Sequence, residues 1–258
     1  MYIVTEYSYL NYLKTVGGSM NLYENDIVQD VLGEALRPGG LELTKRALEY
    51  CRFKPEDKLL DLGCGGGATI NYISKHYDFK IRGLDISDKL VSQARKLNEG
   101  AEIVISSAED MIFENDIFNG VFAECTLSLM DNLEKALEEI NRVMRNEGYL
   151  IISDIYANNT EYLEELKKFS VNTCLKKPFD LEILKDLLKD KGFHVELQER
   201  YDNLLVQLLT DIIFKWGSMD KLWNCAEGCV DTKNFQRVLN KSKPGYFLVI
   251  ARKEEYYA

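Results

Sequence analysis

One seven-residue stretch, Asp61-Leu62-Gly63-Cys64-Gly65-Gly66-Gly67, restricts this chain more than any other. It follows the apolar run Lys58–Leu62 and leads into a helix-compatible segment that reaches about Tyr77. Glycines at such a junction let the backbone turn sharply and let a ligand approach where a Cβ would stand in the way. A strand that turns through glycines into a helix opens a β-α-β unit, and in open α/β sheets ligands lie beyond the carboxyl ends of the strands. Asp85 ends the next apolar run, Lys80–Leu84, about 20 residues beyond the first glycine, where an acid can accept hydrogen bonds from both hydroxyls of a ribose.

The rest of the chain continues the alternation. Helices are expected over 25–35, 40–51 and 88–98, and strands over 102–106, 117–123 and 149–153. Leu133, Ala136, Leu137, Ile140, Val143 and Met144 recur at helical spacing, and Gly148 is read as the stop of that helix. His194–Leu197 and Tyr246–Ala251 read as two further strands. The expected fold class is therefore α/β: a Rossmann-like, doubly wound, mostly parallel sheet of about seven strands with helices on both faces. Residues 1–24 read as an N-terminal extension before one domain over 25–258, and the helical stretches 155–180 and 201–243 as cap segments over the ligand edge. Whether residues 1–19 belong to the ordered protein is left open, with Met20 as an alternative start.

Composition removes other classes. With 258 residues and 46% hydrophobic content the chain can bury a large core without disulfides or metal. No uncharged apolar run approaches membrane length, since Asp211 interrupts 204–214, so no membrane partner is expected. A net charge of −10 without a Lys/Arg cluster argues against nucleic acid as a partner. Six cysteines without a basic-then-apolar leader point to reduced thiols and a cytoplasmic location.

The glycine stretch and Asp85 leave more than one nucleotide open. Gly63-x-Gly65-x-x-Ala68 also fits a dinucleotide fingerprint, so an NAD-dependent dehydrogenase remains an alternative. Three features favour another reading: Asp61 ahead of the first glycine, Ser107-Ala108-Glu109-Asp110 after the third strand, and the helix-rich region where a dehydrogenase would build its second mononucleotide half.

On these residues the sequence resembles the class I S-adenosylmethionine-dependent methyltransferases over roughly 40–155. Asp61 through Gly67 resembles the family's first motif, and Leu137 through Gly148 resembles its stretch before the fifth strand. The resemblance implies S-adenosylmethionine as cofactor, S-adenosylhomocysteine as product and in-line methyl transfer to a small-molecule acceptor. It implies cofactor contacts at Asp61, Gly63, Cys64, Gly65, Gly67, Asp85, Ala108, Glu109 and Glu124. Strand four ends in Glu124-Cys125 rather than the family's commoner pattern, which leaves the acceptor open.

In-line transfer from a sulfonium rests mainly on positioning, so no catalytic dyad is required. Glu124 and Asp154, at the ends of strands four and five, are weak candidates for a base, and the catalytic residue is otherwise unassigned. Arg37, in Arg37-Pro38-Gly39-Gly40, is read either as a partner for a ligand carboxylate or as a solvated turn residue. Cys225 and Cys229, with Cys125 and Cys174 undecided, raise a thiol-assisted arsenite or metalloid methyltransferase as an alternative, although no metal site is assigned. A non-catalytic cofactor-binding module is a third alternative, and the oligomeric state is undetermined. Phe214, Trp216 and Trp223 are expected to pack the cap, and His76 and His194 to be structural.

Overall fold

The computed structural model describes residues 22–33, 35, 37–225 and 231–255. The elements run α1 (Asp26–Leu32), α2 (Glu42–Cys51), β1 (Lys58–Leu62), α3 (Ala68–His76), β2 (Lys80–Asp85), α4 (Asp88–Leu97), β3 (Glu102–Ile105), β4 (Phe118–Glu124), α5 (Leu133–Val143), β5 (Met144–Ala157) and α6 (Leu163–Leu166). They continue with α7 (Leu181–Asp190), β6 (Phe193–Arg200), α8 (Asp202–Trp216), α9 (Asp220–Cys225), α10 (Thr232–Ser242) and β7 (Pro244–Lys253). No described helix is long and apolar enough to cross a membrane.

The strands form one seven-stranded sheet in the order β3-β2-β1-β4-β5-β7-β6. The first five are parallel, and β7 is antiparallel to both of its neighbours, β5 and β6. Side chains along a strand alternate between faces, and the core divides accordingly. Leu150 and Ile152 of β5 and Phe247, Val249 and Ala251 of β7 pack on one face, with Ala136, Leu137, Ile140 and Val143 of α5 and Leu181, Leu184 and Leu188 of α7. Ile151 and Ile155, with Leu248 and Ile250, pack on the other, with α2, α3, α4 and the helices α8, α9 and α10. Helices therefore cover both faces, as a sheet with apolar residues on each side requires.

Three expectations change. The helix before the fifth strand ends at Val143, five residues before Gly148, and β5 begins at once with Met144 paired to Phe118 across a register shift. Its exposed Arg145, Asn146 and Glu147 offer no apolar face to continue a helix, and Asp116 and Ile117 donate their N–H groups to the carbonyls of Arg142 and Val143. The boundary at 24 falls too late, because Leu22–Glu24 forms a 3-10 turn tied to the core: Ser87 Oγ donates to Glu24 Oε1 at 2.6 Å and Cys174 N donates to Tyr23 Oη at 3.1 Å. Phe214 is 93% exposed rather than packed in the cap, whereas Trp223 is fully buried edge-on to Phe235.

The two expected cap segments differ in place. Residues 158–178 are pinned at their base, where Ala157 N donates to Phe179 O at 2.9 Å and Phe179 N to Ile155 O at 2.8 Å. This loop reaches over the carboxyl edge of the sheet. The 201–243 stretch instead packs α8 on β7 and α1, and none of its described residues lines the cavity at that edge.

Candidate active site

The carboxyl ends of β1, β2, β3 and β4 align at one edge, because Leu62 pairs with Leu84, Asp85 with Ile105 and Leu62 with Ala123. A cavity of about 610 Å³ opens there, within the usual range of small-molecule sites, roughly 300–1,000 Å³.

Its first wall is the glycine turn. Gly63 has φ of 69°, and a Cβ on it would collide with the Thr126 side chain, so only glycine lets the β1 and β4 exits meet. Gly65 N donates to Asp85 Oδ2 at 2.9 Å, and Ser87 N donates to Asp85 Oδ1 at 2.9 Å. An ionised carboxylate has about four acceptor positions, so Asp85 keeps capacity for hydroxyls from a ligand. Burial raises its carboxyl above the usual range, and the backbone N–H groups hold that rise back. Cys64 lines the cavity by its position in the turn, and its buried thiol packs toward Gly83 of β2. Gly67 does not line the cavity: φ of 84° starts α3, and a Cβ there would press on Asn98 and Ala94 of the next crossover.

Asp61 is 3% exposed and faces the cavity. Burial, and then the Glu124 charge, push its carboxyl up to about 8, with Arg37 opposing. A cationic group in the cavity beside Asp61 would relieve that pressure.

Glu124 lines the cavity from the end of β4, but its carboxylate is already engaged. Arg37 Nη2 lies 2.9 Å from Glu124 Oε2 and donates to Thr44 Oγ1 at 2.8 Å and Thr69 Oγ1 at 2.9 Å. Those hydroxyls donate in turn to Glu124 Oε1 at 2.8 Å and Oε2 at 2.9 Å. The network joins the segment before α2, the start of α3 and the end of β4. Burial works against the Arg37 charge, yet Glu124, then Tyr246 and Asp61, more than offset it. Arg37 Nε is buried with no hydrogen-bond partner among the described residues, and Arg37 borders the cavity. Arg37 is thus neither a solvated turn residue nor wholly free for a ligand: one nitrogen serves the core and another is left over.

Ala108 and Glu109 line the far end. Glu109 Oε1 accepts from Asp131 N and Asn132 N, both at 2.9 Å, and so holds two cavity loops together. Ile86 lines the same end at 74% exposure, an apolar side chain that the sequence reading passed over. Its signal was available: an isoleucine next to the ribose-type acid, at a position where the strand has ended.

Asp154 does not line the cavity. It is fully buried, with Oδ1 accepting from Ser128 Oγ at 2.7 Å and Ile155 N at 2.8 Å, and Oδ2 from Ser128 N at 3.1 Å. Burial pushes its carboxyl up to about 6, against those three donors. The opposite wall comes from Cys125, Ser128, Met130 and the loop residues 170–173 with Lys176 and Lys177. Cys225 does not border the cavity, and Cys229 lies outside the described residues. His76 stacks on Tyr72, and neither His76 nor His194 borders the cavity.

The sheet order separates the two nucleotide readings. A dinucleotide-binding sheet runs 3-2-1-4-5-6 and builds a second mononucleotide half from its last strands. Here β7 enters antiparallel between β5 and β6, so no such half exists among the described residues, and the dehydrogenase reading falls. Residues 60–152 match the family model described as a methyltransferase domain.

Over these residues the chain is similar to methyltransferases. The chain is 25% identical over 182 residues to phosphoethanolamine N-methyltransferase of Triticum aestivum, covering 67% of this chain and 35% of that protein. It is 34% identical over 118 residues to a Bacillus subtilis (strain 168) protein named "Uncharacterized methyltransferase YodH", covering 44% of this chain and 50% of that protein. Among solved structures, phosphoethanolamine N-methyltransferase 2 of Haemonchus contortus in complex with S-adenosyl-L-methionine superposes with a TM-score of 0.67 at 17% identity, over 95% of this chain and 60% of that one. The chain thus spans about a third to a half of the length of these curated relatives.

Class I methyltransferases take their methyl group from S-adenosylmethionine, and the residues at this site fit that group. The spare acceptor capacity of Asp85 suits two ribose hydroxyls, the orphaned Arg37 Nε suits a carboxylate, and the buried Asp61 carboxyl, with the acids Glu124 and Asp85 near it, suits an ammonium.

Proposed function

We propose that the chain transfers the methyl group of S-adenosylmethionine to a small, anionic acceptor. The observation that carries this reading is one cavity with two unlike walls: the glycine turn with Asp85 on one side, and Cys125, Ser128 and the 170–177 loop on the other. The first wall offers a place for a nucleoside, the second a place for its reaction partner.

Asp85 orients the ribose and Ile86 covers an apolar ring plane, with Ala108 beside it. Asp61 and Arg37 hold the amino-acid end, one on the ammonium and one on the carboxylate. Gly63 and Gly65 let the backbone come close. The bound group supplies a methyl on a sulfonium, already electrophilic. The chain's part is to hold a nucleophile in line with it and to exclude water, and positioning of this kind can contribute roughly 7–11 kcal/mol. Glu124 is a positioning residue for Arg37, not a base, because both of its oxygens are engaged.

Lys176 and Lys177 line the acceptor wall with Asn172 and Thr173 beside them, and Lys177 Nζ also donates to Met130 O at 2.9 Å. Together with the phosphoethanolamine N-methyltransferase relatives this favours a phosphorylated amino alcohol as acceptor. Cys51, Cys64, Cys125 and Cys174 are free thiols, which suits a reducing compartment such as the cytoplasm.

The test is release of S-adenosylhomocysteine by the purified chain, supplied with S-adenosylmethionine and either phosphoethanolamine, the small-metabolite fraction or the macromolecular fraction of a cell extract. Release with phosphoethanolamine supports the full reading. Release with the small fraction alone keeps methyl transfer and moves the acceptor. Release only with macromolecules overturns the small-molecule acceptor. Tight cofactor binding without release in any arm overturns catalysis in favour of a binding module.

A further inference from the structure

Three potential ligand side chains meet at the acceptor wall, and the reading above gives their ligand atoms no role. Cys125 follows β4, Asp154 lies in β5 and Cys174 begins a 3-10 turn in the loop over the cavity. Their two Sγ atoms and a carboxylate oxygen lie within 4.8 Å of one another, and all three residues are buried. Among the described residues no other three His, Cys, Asp or Glu side chains meet in this way.

Ligands of a tetrahedral zinc stand ~3.5–3.8 Å apart, given Zn–S near 2.3 Å and Zn–O near 2.0–2.2 Å. The cluster needs only a small contraction to reach that spacing. Its surroundings are also those of a held ligand set. Ser128 Oγ and Ile155 N donate to Asp154 Oδ1, and Ser128 N alone donates to Oδ2, which leaves Oδ2 an open lone pair. Tyr246 Oη lies 3.5 Å from Cys125 Sγ and donates to Ser153 Oγ at 3.1 Å, and Tyr23 Oη receives Cys174 N. Cys125 itself has φ of 55°, a left-handed conformation that is strained for a non-glycine residue. That conformation places the thiol among the other two groups.

We propose that Cys125, Cys174 and Asp154 bind a thiophilic divalent cation of the zinc class, with a fourth position open to the cavity. Cys125 and Ser128 border the cavity while Cys174 and Asp154 lie behind them, so the open side is the acceptor side. Binding deprotonates the two thiols and releases the protons to solvent; no electrons move. The ion then clamps the 170–177 loop to the ends of β4 and β5, and its fourth position takes water or a donor atom of the acceptor. Cation binding stands independently of methyl transfer, and the acceptor at the fourth position rests on that reading.

The full chain, reduced and stripped with a chelator, is titrated with zinc against a chromophoric chelator, and with cobalt(II) followed by thiolate-to-metal charge-transfer absorption. One equivalent and a two-thiolate spectrum are expected. Cys125→Ser and Cys174→Ser should each weaken zinc by more than the 10–100-fold typical of a supporting residue, and Ser128→Ala by about tenfold. Cys51→Ser should leave the titration unchanged. Far-UV circular dichroism and thermal unfolding show that each variant is folded. Should a variant fail to fold, zinc is tested on the native chain: it should slow alkylation of Cys125 and Cys174 relative to Cys51, as read by mass spectrometry. The proposal is overturned by no zinc uptake, by unchanged uptake in both cysteine variants, by equal alkylation with and without zinc, or by loss of zinc in Cys225→Ser or Cys229→Ser instead.

Discussion

The two walls of the cavity are built on different principles. The glycine-turn wall is made of residues close in sequence, Gly63 and Gly65 with Asp85 at the end of the next strand, joined mostly through backbone N–H groups. The acceptor wall is made of side chains far apart in sequence: Cys125 and Ser128 after β4, and the 170–177 loop. The first needs only glycines and one acid, so it leaves a local signature. The second depends on which strand ends become neighbours, which no local pattern records. A cofactor shared by many enzymes suits the former, and an acceptor particular to one enzyme suits the latter.

The comparison can be broken first at the junction of the walls. Arg37→Met leaves the Glu124 carboxylate buried without its cation, and a loss of about 3–5 kcal/mol is expected in denaturant unfolding. Adding Glu124→Gln should recover part of it. A loss below about 1 kcal/mol would mean that the pair does not hold the walls together.

Next, Asp85→Ala should weaken S-adenosylhomocysteine by about tenfold or more, the scale of lost charge-assisted hydrogen bonds. Zinc uptake in that variant should match the native chain. Unchanged cofactor affinity would remove the ribose assignment, and altered zinc uptake would show that the walls are coupled.

A smaller, pH-dependent effect belongs to Asp61. Its carboxyl is raised to about 8 in the free chain, so it carries a proton at neutral pH. An ammonium bound beside it favours the ionised form, so cofactor binding should release a proton below that value. Affinity then rises as pH climbs toward about 8 and gains nothing further from Asp61 above it. Calorimetry in buffers of different ionisation enthalpy should show the release for S-adenosylhomocysteine. Neither Asp61→Asn nor methylthioadenosine, which lacks the amino-acid end, should show it. The same raised value makes the free chain lose stability as pH rises from the ordinary carboxylate range through about 8. The smallest effect is expected at Phe214→Ser, outside both walls and 93% exposed, within about 0.5 kcal/mol of the native stability.

What sequence could reveal follows the same division. Gly63, Gly65 and Asp85 were readable because turn chemistry and strand ends are local facts. The pairing of Arg37 with Glu124 was not, because both residue types have ordinary solvated roles and only the meeting of α2, α3 and β4 gives them to each other. Gly148 was misread as a helix stop because a local breaker was weighed without the long-range pairing of Met144 to Phe118. Phe214 is expected in the cap by its type alone, yet it lies on the exposed side of α8. Cys125 and Cys174 gave no signal by spacing; their proximity to Asp154 is a property of the folded loop.

The antiparallel strand β7 has a consequence for how the molecule comes into being. On the ribosome β6 emerges well before β7, yet its neighbour in the sheet is β7 rather than anything made earlier. Until residues 244–253 appear, β5 presents a bare edge and β6 has no ladder to join, while both faces of the core lack one row of side chains. Such long-range closure slows folding and leaves an adhesive edge exposed during synthesis. The nascent chain can fold its glycine turn early, but it must wait for its last strand to seal the sheet.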